Sequence, residues 1–340
     1  MRAPAQVEVI GGGPAGSAAA LAALAEGSAV TIYEKARFPR HKVCGEFLSP
    51  EAGPILESLG LWPAFLDARP AGIARAVLYL RGRAKRIPLP EPAHGLSRAA
   101  LDQLLLEGAL RRGAECRTER RRPEASCEGA LVLAHGRRTR ARAGSRLFGF
   151  QAHFRGAGSQ PLDDAVELHF LDGGYVGLSP VEDGALNVCG LAREELLREH
   201  EFRPEALLPA DLALRLGRLA RSSDWLRTGP LVFRDQFADR SGAYLAGDAL
   251  GFVDPFTGSG ILAALATGAL AGRAASRGLE LESYRAECRR ALAGQHRVAS
   301  ALRGLIGSRL TEGLARWIPG GLLYRLTRPR EGKSGRGERI

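Results

Sequence analysis

The stretch that most constrains the fold is Gly11-x-Gly13-x-x-Gly16, set between two short apolar segments. Residues 7–10 (Val-Glu-Val-Ile) predict a buried strand, residues 16–26 a helix ending near Gly27, and Ala29 to Glu34 a second strand. Two strands joined by one helix in so short a span run parallel. Gly11 permits a tight turn, Gly13 lets a pyrophosphate approach the backbone, and Gly16 lets the helix lie against the strand. The helix N-terminus, with Pro14 and Ala15 in its first turn, then offers free N–H groups to phosphate. Glu34 ends the second strand, where its carboxylate accepts from ribose hydroxyls and argues against a 2′-phosphate. Lys35 follows it and is counted with the nucleotide-binding residues.

A second motif lies far along the chain. Residues 243–246 predict a strand that delivers Gly247-Asp248, and an Asp at a strand's carboxyl end can accept hydrogen bonds from a polyol. Pro255, Gly258, Gly260 and Ile261 then lead into a small-residue helix at 259–272, whose first N–H groups can meet an anion. Together the two motifs read as a flavin-binding pair.

Between them the chain changes character. Residues 75–89 suggest a hairpin, Ser97 looks like the N-cap of a helix at 98–112, and 130–134 form a strand running into His135-Gly136. Residues 147–155, 165–171, 174–179 and 185–192 are short alternating segments that predict an antiparallel sheet. Residues 193–226 return to helix, and 229–237 to strand. The expected fold is therefore α/β: a Rossmann-type domain with a parallel sheet and an inserted antiparallel-sheet substrate domain. The first is built from 1–70, 93–146 and 238–297, the second from 71–92 and 147–237. A basic amphipathic helix at 298–328 and a disordered basic tail at 329–340 follow.

The 340 residues carry a net charge of +11. Residues 111–146 hold 11 Arg and 4 Glu, and residues 321–340 hold six Lys or Arg and two Glu, which accounts for the whole excess. No nucleic-acid motif accompanies these stretches, so no nucleic-acid partner is expected. Five cysteines with no CxxC pair predict reduced thiols, no metal site and a cytoplasmic protein. No signal peptide is recognisable. Residues 255–272 are uncharged, but their loop-like start and small side chains fit a tightly packed helix better than a bilayer span.

With both motifs in place, the chain resembles the flavoprotein superfamily that contains para-hydroxybenzoate hydroxylase and the geranylgeranyl reductases. Phe38-Pro-Arg-His-Lys-Val-Cys44-Gly-Glu-Phe-Leu-Ser-Pro50 resembles the Pro-Arg-x-Lys-x-Cys-Gly loop of the reductase branch, and Leu96-Ser-Arg98-x-x-Leu-Asp102 an Arg-bearing helix of the superfamily. The resemblance implies non-covalent FAD, with Gly11, Gly13, Gly16 and Glu34 on the ADP half and Arg98 near the pyrophosphate or ribityl chain. It places Asp248 on the ribityl group, the helix start at 258–261 facing the flavin ring, and Cys44 beside that ring. NAD(P)H is the implied reductant. His135-Gly136 stands where many hydroxylases have Asp-Gly, and no Trp-x-Trp occurs, since Trp62, Trp225 and Trp317 are isolated; this counts against the flavin halogenases.

Cys44 and His153 are the candidate catalytic residues, with Gln151 and Asn187 as candidates for lining the substrate pocket. Either Cys44 fills space in a loop, or it acts as an acid or gate. The expected activity is a monooxygenase acting on a hydrophobic or aromatic small molecule. The alternatives are a reductase of carbon–carbon double bonds and a non-catalytic flavin-binding protein. The stretch 298–328 either packs on the fold or touches a membrane surface.

Overall fold

The computed structural model describes residues 5–80, 83–118, 129–137, 147–156, 162–231, 242–251 and 258–292. In chain order the strands are β1 (Gln6–Ile10), β2 (Ala29–Tyr33), β3 (Phe47–Leu48), β4 (Ala71–Leu80), β5 (Arg83–Gly95), β6 (Glu115–Arg117) and β7 (Ala130–Leu133). They continue as β8 (Leu147–Arg155), β9 (Ala165–Leu171), β10 (Gly174–Pro180), β11 (Leu186–Arg193), β12 (Ala220–Arg221), β13 (Leu226–Leu231) and β14 (Tyr244–Leu245). The helices are α1 (Pro14–Ala25), α2 (Ala52–Ser58), α3 (Trp62–Asp67), α4 (Arg98–Arg111), α5 (Glu194–Glu199), α6 (Ala210–Leu216) and α7 (Gly260–Arg277). Residues 281–292 are also helical.

Five strands form a parallel sheet in the order β14-β7-β1-β2-β6. Parallel pairing aligns the strands' carboxyl ends, so Gly11, Glu34, Ala134 and Gly247 all leave the sheet on one side. That edge is where open α/β sheets bind ligands. Helix α1 buries ten of its twelve residues, nearly all small. Helix α7 rides on it at backbone distance: a Cβ at Gly268 would strike the Ala15 carbonyl oxygen, and one at Gly272 that of Ala19. This contact explains the small-residue run at 259–272. Among the described residues no helix is long and apolar enough to cross a membrane. The following segment fastens β14, with Tyr284 Oη donating to the Leu245 carbonyl and Tyr244 Oη to the Leu279 carbonyl, both at 2.6 Å.

The second sheet runs β12-β8-β11-β10-β9-β4-β5-β3, with β13 also on β8. It is mixed rather than antiparallel, because β4 and β9 pair in parallel. A parallel pair needs a long crossover, and here the chain between them passes through α4, β6 and β7 of the first sheet's unit. On one face Phe150, Ala152, Phe154, Val176, Leu178 and Val188 pack under helices α5 and α6 in a core of their own. The opposite parity of the same strands carries Gln151, His153, Ser179 and Asn187, all buried.

Some local expectations shift. The helix expected over 193–226 breaks into α5, a 3-10 turn at Pro204–Leu207 and α6, then gives way to β12 and β13. Pro204 and Pro209 interrupt the hydrogen-bond ladder there. The 38–50 loop contains the short strand β3, and β6 is an exposed three-residue strand that no periodicity announces. Pro255, the stretch 298–328 and the tail 329–340 lie outside the described residues.

Candidate active site

The three glycines of the first turn do different work. Gly11 has φ +104°, and a Cβ there would press on the Ala134 carbonyl; a Cβ at Gly16 would run into the Gly11 carbonyl oxygen. Both are glycine because the protein's own backbone comes close. A Cβ at Gly13 would meet only Arg40 Nη2, at 3.6 Å. Gly13 is also the N-cap of α1 and, having no side chain, leaves that helix end without a side-chain cap. Ser97 caps α4 by accepting from the Ala100 N–H at 3.1 Å, but α7 begins at Ser259 with no side-chain cap bond. A Cβ at Gly260 would meet nothing within 4 Å. Among the described residues, two helix starts at one sheet edge thus carry no side-chain cap bond, and their positive ends suit an anion.

The two motifs touch. A Cβ at Gly247 (φ +59°) would lie 2.8 Å from that of Ala15, and the Gly247 N–H donates to Thr267 Oγ1 of α7 at 2.9 Å. Glu34 is buried and shapes the turn itself, accepting from the Gly12 N–H at 2.7 Å and the Ala36 N–H at 2.8 Å. Lys35 beside it is exposed, and Ile261 is buried in the core. Asp248 is half-buried, with Arg137 Nε 3.7 Å from its Oδ2.

Cations from the 38–50 loop reach into the same space. Arg40 stacks on Phe38 and lies 3.7 Å from Asp102 Oδ2 and 3.9 Å from Glu34 Oε2, while its buried Nε has no hydrogen-bond partner. Lys42 Nζ lies beside Gly136. Burial pushes its pKa down, and the nearby charges of Arg98 and Arg40 add to that against Asp248 and Asp102. An unspent guanidinium N–H beside an open glycine and an uncapped helix suits a dianionic pyrophosphate. A dinucleotide therefore fits these residues: Gly13, Arg40 and α1 at the phosphates, Glu34 at one end, Asp248 and the start of α7 at the other.

Arg98 is paired within its own helix. Its Nε and Nη2 grip the fully buried Asp102 at 2.6 and 2.7 Å, and its guanidinium also interacts with the Cys44 thiol. Burial works against its charge, but Asp102 outweighs that and holds it firmly cationic.

The segment 44–46 sits where the second sheet meets this cradle. The Cys44 N–H donates to Gln151 Oε1 and Asn187 Nδ2 donates to the Cys44 carbonyl, both at 3.0 Å. Glu46, fully buried at φ +54°, accepts from the Arg98 backbone N–H at 2.8 Å and meets His153 Nε2 at 2.7 Å. Burial alone would discharge His153; the bond and charge of Glu46 outweigh it and raise the imidazole pKa. The Cys44 thiol is pushed up by burial, although Arg98 and the Glu46 N–H, 3.4 Å from Sγ, pull the other way. The strand register puts Gln151, His153, Asn187 and Cys189 on one face, so the structure brings all four residues expected at the pocket (Cys44, Gln151, His153 and Asn187) into one cluster. Sequence reasoning gave no role to Arg40, Lys42, Glu46, Asp102 or Arg137; the first three stand in the Cys-Gly loop and Asp102 in the α4 motif, which was the available signal.

No family model matches the chain. It is 30% identical over 321 residues to the menaquinone reductase of Mycobacterium tuberculosis, covering 78% of this chain and 75% of that protein. To digeranylgeranylglycerophospholipid reductase 2 of Methanopyrus kandleri it is 28% identical over 335 residues, covering 81% and 77%. A shorter match, 37% over 113 residues, spans 33% of this chain but only 27% of the menaquinone reductase of Mycolicibacterium smegmatis. Among solved structures, a flavin-dependent brominase superposes with TM-score 0.76 at 19% identity, covering 95% and 93%. A geranylgeranyl bacteriochlorophyll reductase-like protein from Thermoplasma acidophilum does so with TM-score 0.68 at 18%, covering 95% and 91%. The chain belongs to the FAD-dependent oxidoreductase superfamily in which the menaquinone and geranylgeranyl reductases fall.

Proposed function

We propose that this flavoenzyme is a reductase that saturates a carbon–carbon double bond of an isoprenoid lipid, with Cys44 as the proton donor. Reduced FAD, when bound, supplies a hydride to one alkene carbon. The Cys44 thiol gives its proton to the neighbouring carbon, and the S–H electron pair stays on sulfur. Burial raises the thiol's pKa and so favours its protonated form. The Arg98 guanidinium and the Glu46 N–H at 3.4 Å then favour the thiolate, and a solvent proton restores the thiol. The observation that carries this reading is the Cys44 thiol, its pKa raised by burial, set against the Arg98 guanidinium at the junction of the cofactor cradle and the second sheet. Support also comes from the two relatives that match most of both chains, each named as the reductase of a lipid with isoprenoid chains.

NAD(P)H is the proposed reductant of the flavin. A lipid substrate makes 298–328 the proposed point of peripheral membrane contact. The monooxygenase expected first from the sequence stands second, since superfamily breadth supports it and no feature of the Cys44 cluster favours it.

The test is anaerobic turnover of dithionite-reduced holoenzyme with menaquinone or a geranylgeranyl lipid in detergent, followed by mass spectrometry. Product with two added hydrogens on carbons of the isoprenoid chain, both deuterium when the reaction is run in D2O because the reduced flavin's N–H exchanges with solvent, supports the reductase. Loss of that product in Cys44→Ala supports the proton donor. Product that forms only with oxygen, and carries it, overturns the reading in favour of a monooxygenase. A bound flavin that neither NAD(P)H nor dithionite reduces would identify a non-catalytic flavin-binding protein.

A further inference from the structure

Cys44 is held by its backbone from two strands of the second sheet. Gln151 on β8 accepts from the Cys44 N–H and Asn187 on β11 donates to the Cys44 carbonyl, each at 3.0 Å. Strands β8 and β11 are antiparallel neighbours, with Asn187 opposite His153 and Cys189 opposite Gln151, so the two amides are diagonal neighbours on one face. Both residues are 0% exposed. The bond directions leave no freedom in how the amides point: a peptide N–H can only donate, so Gln151 presents its oxygen, and a carbonyl can only accept, so Asn187 presents its nitrogen. The other ends, Gln151 Nε2 and Asn187 Oδ1, are buried with no hydrogen-bond partner among the described residues.

That is an unfavourable arrangement for stability alone. A buried amide that leaves one end unsatisfied is destabilising compared with an apolar side chain of the same shape. Among the described residues, the side-chain bond that each amide makes is to Cys44. The adjacent His153 adds a third tie from β8, through Glu46. The inserted sheet thus grips residues 44 and 46, while Arg98 meets the Cys44 thiol and the Glu46 carboxylate from α4.

We infer that Gln151 and Asn187 are positioning residues, which hold the Cys44 peptide between them and so set where its thiol stands against Arg98 and the bound substrate. The placement of the thiol is read from geometry. Its effect on turnover rests on the proton-donor role proposed for Cys44. Without the two amides, the Cys44 peptide turns from the sheet; the thiol loses the Arg98 guanidinium and the Glu46 N–H, but it also loses the burial that outweighs them, and it meets solvent more often.

The experiment measures alkylation of Cys44 by iodoacetamide in FAD-loaded full-length protein at pH 8, read peptide by peptide in the mass spectrometer. FAD absorbance and melting temperature are recorded for each variant as folding controls. Gln151→Leu and Asn187→Leu are expected to speed Cys44 alkylation about tenfold, the factor for one lost hydrogen bond of ordinary strength. The isosteres separate positioning from packing. Gln151→Glu keeps the acceptor that the Cys44 N–H needs and should stay within about twofold of the unsubstituted rate. Asn187→Asp removes the donor to the Cys44 carbonyl and should match Asn187→Leu. Equal rates in the two acidic isosteres, or unchanged Cys44 alkylation in the leucine variants, overturn the inference. If the leucine variants fail to fold, the isostere pair alone decides. In turnover, Asn187→Asp should lower kcat with KM little changed. Full turnover in Cys44→Ala would sink the proton-donor reading, while the alkylation rates would still judge the clamp.

Discussion

His153 Nε2 on β8 lies 2.7 Å from Glu46 Oε2, and this bond joins the second sheet to the loop that carries Cys44. Glu46 is fully buried, and its other oxygen takes the Arg98 N–H that begins α4. One carboxylate therefore links a strand, a loop and a helix start. The groups around the imidazole are Glu46, Glu182, Arg155 and the His41 ring.

The first prediction concerns pH. The folded pKa of His153 is raised above its unfolded value of about 6.5. Its stabilisation is thus fully present below about 6.5 and is lost as pH rises through the folded pKa. Melting curves of the unsubstituted protein and His153→Gln should differ most at about pH 6 and converge in alkaline buffer. A gap that widens with rising pH would show that the pair carries no such charge.

Cofactor retention should follow the cradle. Asp248→Ala and Arg40→Ala each remove charge-assisted hydrogen bonds, worth about 1.5–3 kcal/mol or roughly ten- to a hundredfold in FAD affinity. Gly13→Val should be worse, since its side chain would fill the space left open beside Arg40. Titration of apoprotein with FAD, followed by flavin fluorescence, gives the constants. Unchanged affinity in all three would mean that the dinucleotide lies elsewhere.

Asp102→Asn leaves Arg98 buried without its carboxylate. Removing one partner of a buried, bidentate pair typically costs about 3–5 kcal/mol. Urea denaturation should show that loss, and the Cys44 thiol should become more reactive as the freed guanidinium turns to it. A loss under about 1 kcal/mol would place the pair among ordinary surface bridges.

Gly272→Val tests the packing of α7 on α1. Its Cβ would meet the Ala19 carbonyl, a backbone atom that cannot step aside. Destabilisation of about 3 kcal/mol is expected, with FAD loss in parallel because α7 also holds Gly247 through Thr267. A variant as stable as the parent would refute the close approach.

Much of this protein was legible in residue order. Strand, glycine turn, helix and acidic strand end are local features, each fixed by spacing within a few residues, so the pattern Gly11 to Glu34 named the parallel sheet and its ligand edge. Gly247-Asp248 and the alternating segments after Leu147 were equally local. Tertiary structure decided what distance along the chain conceals. Arg40 and Gly13 are 27 residues apart in number and face each other only because the 38–50 loop folds back. The parity of Gln151, His153 and Asn187 was visible, but which way that face points depends on the packing of two separate cores. The parallel pairing of β4 with β9 follows from a crossover through another sheet, and no local propensity encodes it. Cys44 was visible as a thiol in a loop. That burial raises its pKa, while two buried amides hold its backbone and a cation meets its sulfur, is a property of elements brought together from four separate stretches of chain.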